Sequence, residues 1–187
     1  MTRKGQISRD RIIEAANRLV YTKGFNLTSF ADVANAVGIT KGNLHYHFKS
    51  KDELLDSVIR YRMGLITELL NEWDQQIPEP KSRLKRFVQM LLNEEQDIVR
   101  YGCPMGSLNV ELGKCQLPLQ HKAREMFELY QVWLEKVFKQ LDNKDSKTRS
   151  KHLLAMAQGA ALISYVYSDA KVLKDEHKVI DAWIDSL

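Results

Sequence analysis

The sequence predicts an all-α protein, on three observations. Nearly every long segment repeats apolar residues at i, i+3, i+4 and i+7, the spacing of one helix face. No stretch reads as a strand, an internal repeat or a low-complexity tract. Only 9 Gly and 4 Pro punctuate 187 residues, which favours long helices over a turn-rich β protein. Hydrophobic residues at 44% and charged residues at 28% are globular proportions and argue against disorder.

Each element follows from local signals, and nine helices are expected. The first carries the stripe Ile12, Ile13, Ala16, Leu19 and Val20, with Ser8 as expected N-cap and Lys23-Gly24 at its end. The second is short: Ser29 with Asp32 three residues on caps it, and Gly38 stops it after Phe30, Val33, Ala34 and Val37. The third starts at once from Thr40, with Ile39 placed to staple onto Leu44. Two short helices joined by a glycine-containing turn form the helix-turn-helix pattern. Ser50 and Glu53 make a capping box for a long fourth helix running to about Trp73, and Ile77-Pro78-Glu79-Pro80 breaks the chain after it. A fifth helix is expected over 81–99, interrupted at 100–106. A sixth reaches Leu112 and a seventh runs from Pro118 to Leu141. After the polar turn 142–145 come an eighth at 147–170 and a ninth at 175–186.

Charge is unevenly placed. Residues 1–51 hold nine Lys/Arg against three Asp/Glu, a net +6, while 52–187 hold nineteen against twenty-one, a net −2. A small basic unit on a slightly acidic body points to a polyanion partner for the N-terminus. No apolar stretch approaches the ~20 residues of a membrane span, and no signal-peptide pattern opens the chain. Two cysteines argue for a reducing compartment, so the cytoplasm is expected, with no membrane partner. No His, Cys or carboxylate spacing matches a metal site or catalytic motif, so neither enzyme activity, cofactor nor metal is expected.

The stretch "GITKGNLHYHFKSKDEL" concentrates the chemistry. On a helix turning about 100° per residue, Leu44 and Phe48 point inward while Gly42, Asn43 and Tyr46 point outward, with His45 on the flank. Glycine lets a backbone approach a groove wall, and asparagine pairs with a base edge. Lys41 and the Thr40-capped helix N-terminus attract phosphate, as do Tyr46 and the Lys49–Lys51 pair around the next cap.

These residues resemble a known family. "TSFADVANAVGITKGNLHYHFKSKDELL", extended upstream through Ala16, Leu19, Gly24 and Phe25, is similar to the DNA-binding signature of TetR/AcrR transcriptional regulators. The resemblance covers about residues 8–55. It implies a helix-turn-helix domain at 1–50 and an effector-binding and dimerisation domain at 51–187. It implies DNA contacts from Thr28, Lys41, Asn43, Tyr46 and Lys51, and the outward face with its caps adds Thr40, Gly42, His45 and Lys49 to the expected DNA-binding set. His45 departs from the tyrosine common at that position. The function implied is a cytoplasmic repressor, released from a pseudo-palindromic double-stranded DNA operator by an unknown small-molecule effector. The long fourth helix would tilt to part the two reading heads of a homodimer.

Outside the signature the residues leave alternatives open. Ala157, Gly159, Ala160 and Ala161 suit either close approach of a partner helix or plain core packing, and the resemblance favours the former, together with Trp183 and Ile184. Met63, Ile66, Met90, Trp133, Met156, Tyr165 and Tyr167 are candidates to line an effector cavity, with ordinary core as the simpler reading. Cys103 precedes Pro104 and is expected as an N-cap. It is either a small structural hydrophobe or an electrophile- and redox-sensing thiol. A bridge to Cys115 is not expected, since twelve helical residues span about 18 Å.

Overall fold

The computed structural model describes residues 3–115, 117–141 and 145–187, and of 3–8, 115 and 117 the backbone only. The described residues form ten helices and no strand. They are α1 (Arg3–Lys23), α2 (Phe30–Val37), α3 (Lys41–His47), α4 (Lys51–Gln76), α5 (Pro80–Asn93), α6 (Glu95–Tyr101), α7 (Pro104–Cys115), α8 (Leu117–Gln140), α9 (Ser146–Tyr167) and α10 (Ala170–Asp185). The expected nine are present, with the fifth divided in two. At Glu94 the backbone opens to φ −103°, ψ 15°. The Glu94 N–H still reaches back to Met90, and its carbonyl starts α6 by accepting from Ile98 at 2.9 Å. Neither Gly nor Pro marks that break. α1 begins at Arg3 rather than at Ser8, which therefore lies inside the helix. Residues 142–144 of the expected turn, and the Cys115 side chain on which a bridge to Cys103 depends, lie outside the described residues.

The chain divides into two compact units, one up to Gly64 with Ser107–Met126, the other Leu65–Gly106 with Phe127–Leu187. The expected boundary at residue 50 is displaced because the first turns of α4 are core to the first unit. Leu54, Leu55, Val58 and Ile59 are all buried there. Residues 107–126 join the same unit through Lys122, whose ammonium pairs with Asp56 at 2.6 Å. The core beneath the helix-turn-helix holds Ile12, Ala16, Phe25, Val33, Leu44 and Phe48. Burying each of the larger of these side chains, Ala16 aside, contributes about 1.5–3 kcal/mol. Arg9 closes this core, its guanidinium 4.7 Å over the Phe48 ring and 2.9 Å from Ser57 Oγ.

In the second unit α10 packs on α5 and α9, and α6 packs on α9. A polar hub ties three helices together at Asp74. It accepts from Arg83 at 2.8 Å, Trp133 Nε1 at 3.0 Å and Lys136 at 3.0 Å. Burial alone would raise the Asp74 carboxyl, but the hydrogen bonds from Lys136, Arg83 and Trp133 outweigh it and hold it below the ordinary range. Arg83 is itself buried, and its guanidinium also donates to the Gln140 side chain at 2.6 Å and the Pro78 carbonyl at 3.3 Å, so the pair stands within a network rather than alone.

Candidate nucleic-acid interface

Local chemistry builds the turn-helix geometry residue by residue. Ser29 Oγ accepts the Asp32 N–H at 3.1 Å, and Asp32 Oδ2 accepts the Ser29 N–H at 2.8 Å, so the expected capping box closes in both directions. The Ser29 backbone and hydroxyl donors, with Lys23 beside them, hold the Asp32 carboxyl down at about 2. Gly38 ends α2 at φ 74°, in the left-handed region that a side chain resists. Its N–H and that of Ile39 return to Asn35 and Ala34 carbonyls. Thr40 then caps α3, its hydroxyl oxygen accepting the Asn43 N–H at 3.2 Å. Such a cap contributes about 1 kcal/mol.

Leu44 and Phe48 are fully buried beneath α3. Lys41, Gly42, Asn43, His45 and Tyr46 are exposed, Tyr46 by 76%. The outward face expected from the sequence is therefore a free surface of the protomer. His45 rests its ring on Phe30 of α2, 4.8 Å between centroids, so the residue that departs from the common tyrosine also braces the two helices. His47, which sequence reasoning passed over, packs edge-on against Tyr46 at 5.3 Å and keeps a buried Nδ1 without a hydrogen-bond partner.

The flanking residues are placed by their own bonds. Lys49 Nζ donates to the His45 carbonyl at 3.2 Å, a cation on the C-terminal end of α3. Ser50 Oγ caps α4 through the Glu53 N–H at 3.1 Å. Glu53 returns not to Ser50 but to the Lys49 N–H at 2.8 Å, so the reciprocal half of that capping box is shifted by one residue. Lys51 Nζ lies 4.3 Å over the Phe25 ring and donates to the Asn26 carbonyl at 3.2 Å. Thr28 requires a correction. It is buried, and its hydroxyl donates to the Gly24 carbonyl at 2.7 Å, so its only side-chain proton is already committed to closing the α1–α2 turn.

The other expected residues separate on burial. Ala157, Ala160, Ala161 and Ile184 are buried within the protomer and cannot form an outer interface. Trp183 is wedged between the Phe138 and His152 rings, with centroids at 6.1 and 5.3 Å. Of that group only Gly159 is exposed. The outward stripe of α9 is instead Ala155, Gly159, Leu162 and Val166, with Leu162 58% and Val166 61% exposed. Tyr165 and Tyr167 are surface residues too, so neither lines an interior.

Ile66 is buried, Met63 and Met156 are half-buried, and Trp133 belongs to the Asp74 hub, its ring 5.6 Å from Trp73. Met90 Sδ accepts the hydroxyl of Tyr130 at 3.6 Å. Tyr130, not singled out from the sequence, is a buried phenol pushed well above its ordinary range by burial, then by Glu94 and Cys103 nearby. Cys103 is a free, half-buried thiol whose sulfur accepts the Gly106 N–H at 3.4 Å, the N-cap position expected of it. No group of three metal-ligating side chains occurs among the described residues, and no helix among them is long and apolar enough to cross a membrane.

Comparison with known proteins agrees with this geometry. Residues 12–58 match the family model for bacterial regulatory proteins, tetR family. The chain is 25% identical to an uncharacterized HTH-type transcriptional regulator in the lacX 3′ region of Lactococcus lactis subsp. lactis, over 92% of this chain and 91% of that one. It is 31% identical to the HTH-type transcriptional regulator AcrR of Shigella flexneri, over 46% of this chain and 40% of that protein. A crystal structure of a TetR transcriptional regulator from Legionella pneumophila superposes with a TM-score of 0.84 at 25% identity, covering 97% of both chains.

Proposed function

Because this chain belongs to the TetR family of bacterial regulatory proteins and is a DNA-binding transcriptional regulator, we propose that it acts as a cytoplasmic repressor. A homodimer occupies a pseudo-palindromic operator and a small-molecule effector releases it. The observation that carries the reading is the α3 surface. Five consecutive-turn residues suited to DNA stand exposed on a capped helix whose other side, Leu44 and Phe48, is fully buried. One such helix reads only a few base pairs, so useful specificity requires two, related by the two-fold axis that makes an operator palindromic.

The outward apolar stripe of α9 supports dimerisation. The C-terminal half of α9 is apolar on its outer as well as its inner side, and protomer packing covers only the Ala157–Ala161 side, which leaves Leu162 and Val166 for a partner. α4 supports release, since it starts at Lys51 next to the end of α3 and continues through Gly64 into the second unit. An effector bound near Tyr130, Met90 and Cys103 would bias that helix, with a coupling of typically about 1–3 kcal/mol. Selection of bound duplexes from a random library tests the reading. The enriched sequences should share an inverted repeat with half-sites about one helical turn apart. A single unrepeated element, or no enrichment, contradicts it.

A second reading, release by electrophiles that alkylate Cys103, is favoured by the thiol's position as the α7 cap. N-ethylmaleimide should then release the selected duplex from the wild type and not from Cys103→Ser. Equal release from both removes it.

A further inference from the structure

The turn between α1 and α2 carries a feature that no helix-turn-helix signature requires. After Gly24, at φ 87°, the chain leaves α1 and presents the Phe25 and Asn26 N–H groups outside any helix. Both are taken by a single side chain 85 and 86 residues away. Glu111 Oε2 accepts from Phe25 at 2.9 Å and Oε1 from Asn26 at 2.7 Å. A Cβ on Gly24 would come within 3.2 Å of that carboxylate, so the bare backbone is what admits it. The same two residues also hold Lys51. Its ammonium lies over the Phe25 ring and donates one proton to the Asn26 carbonyl, which leaves two donors for a phosphate.

We propose that Glu111 is a positioning residue for DNA binding: its carboxylate clasps the Phe25–Asn26 turn, and the turn presents Lys51 to the DNA backbone. The proposal rests on the DNA-binding reading above and assigns Glu111 no contact with DNA. A carboxylate accepting two N–H groups fixes the turn more firmly than neutral acceptors would, since charge-assisted bonds are about twice as strong. With the turn loosened, the Phe25 ring and Asn26 carbonyl no longer define where the ammonium sits. Its phosphate contact then has to pay the ordering entropy at binding.

Two measurements on the full chain test this. Amide exchange at Phe25 and Asn26 is expected to be slow in the wild type and faster in Glu111→Gln, which keeps one acceptor and turns an NH2 toward the second N–H. In anisotropy titrations on the library-selected duplex, Glu111→Gln is expected to weaken binding about tenfold at unchanged helicity. The double variant Lys51→Ala/Glu111→Gln is expected to bind no more weakly than Lys51→Ala alone, because the two act through one contact. Wild-type affinity in Glu111→Gln, unchanged exchange, or losses that add in the double variant would each overturn the proposal. Should Glu111→Gln not fold, Glu111→Asp, one methylene short of both N–H groups, is expected to show the same two effects, smaller. A wild type that slows exchange at the turn yet binds no duplex would instead overturn the DNA-binding reading.

Discussion

Asn43 and Lys41 stand two residues apart on α3, both exposed, and their chemistry separates reading from holding. An asparagine amide pairs bidentately with an adenine edge, whereas a lysine at a helix N-terminus meets phosphate. Asn43→Ala should therefore cost about 1–3 kcal/mol per half-site on the selected operator and relax preference at one base pair in each half. Lys41→Ala should weaken all duplexes alike and reduce the salt slope by about one for each protomer of the dimer. Competition titrations with single-base operator variants distinguish the two patterns. The exposure of both was legible in the sequence, because outward direction on a short capped helix needs only the helical period. The burial of Thr28 was not. It depends on how the turn folds back on Gly24, where the Thr28 hydroxyl is spent.

The short helices depend on their caps, because seven or eight residues are too few to be stable by propagation alone. α2 is held by the Ser29–Asp32 box, and the Asp32 carboxyl sits at about 2 against an ordinary 3.8. A carboxyl depressed in the folded state contributes stability that is complete above its unfolded value and is lost as pH falls through the folded one. The melting-temperature gap between wild type and Asp32→Asn should thus be constant above about pH 5 and close between about pH 4 and pH 2. A gap that persists undiminished at pH 2 contradicts this account of the cap. The elements of this region were readable because caps, glycines and periods act within a few residues of one another. The break at Glu94 had no such signal. Its residues favour helix on both sides, and only the changed backbone at one position separates α5 from α6.

At the scale of the molecule, the sequence marked the small residues of α9 as a face for close helix approach without saying whether that face is inner or outer. Ala157, Ala160 and Ala161 proved to lie inward, and the exposed stripe runs through Ala155, Gly159, Leu162 and Val166. Burial of that kind is decided by packing against α6 and α10, far away in sequence. Val166→Asp places a charge on the outer stripe and should convert the proposed homodimer to a monomer in sedimentation while leaving helicity unchanged. Ala160→Asp, pointing inward, should instead unfold the second unit. Loss of the dimer should also lower operator affinity by orders of magnitude, since only paired reading heads span both half-sites.

The central claim is that the outside of α3 docks in the major groove of duplex DNA. Anisotropy titration of the selected duplex between 50 and 200 mM salt tests it most directly, comparing the wild type with a Lys41→Ala/Asn43→Ala/Tyr46→Ala variant that keeps Leu44 and Phe48 in place. Wild-type affinity should fall by roughly 10³–10⁵ over that range, if a dimer makes six to ten phosphate contacts. The folded triple variant should retain at most weak binding without sequence preference. A triple variant that binds the operator as the wild type does would contradict the claim.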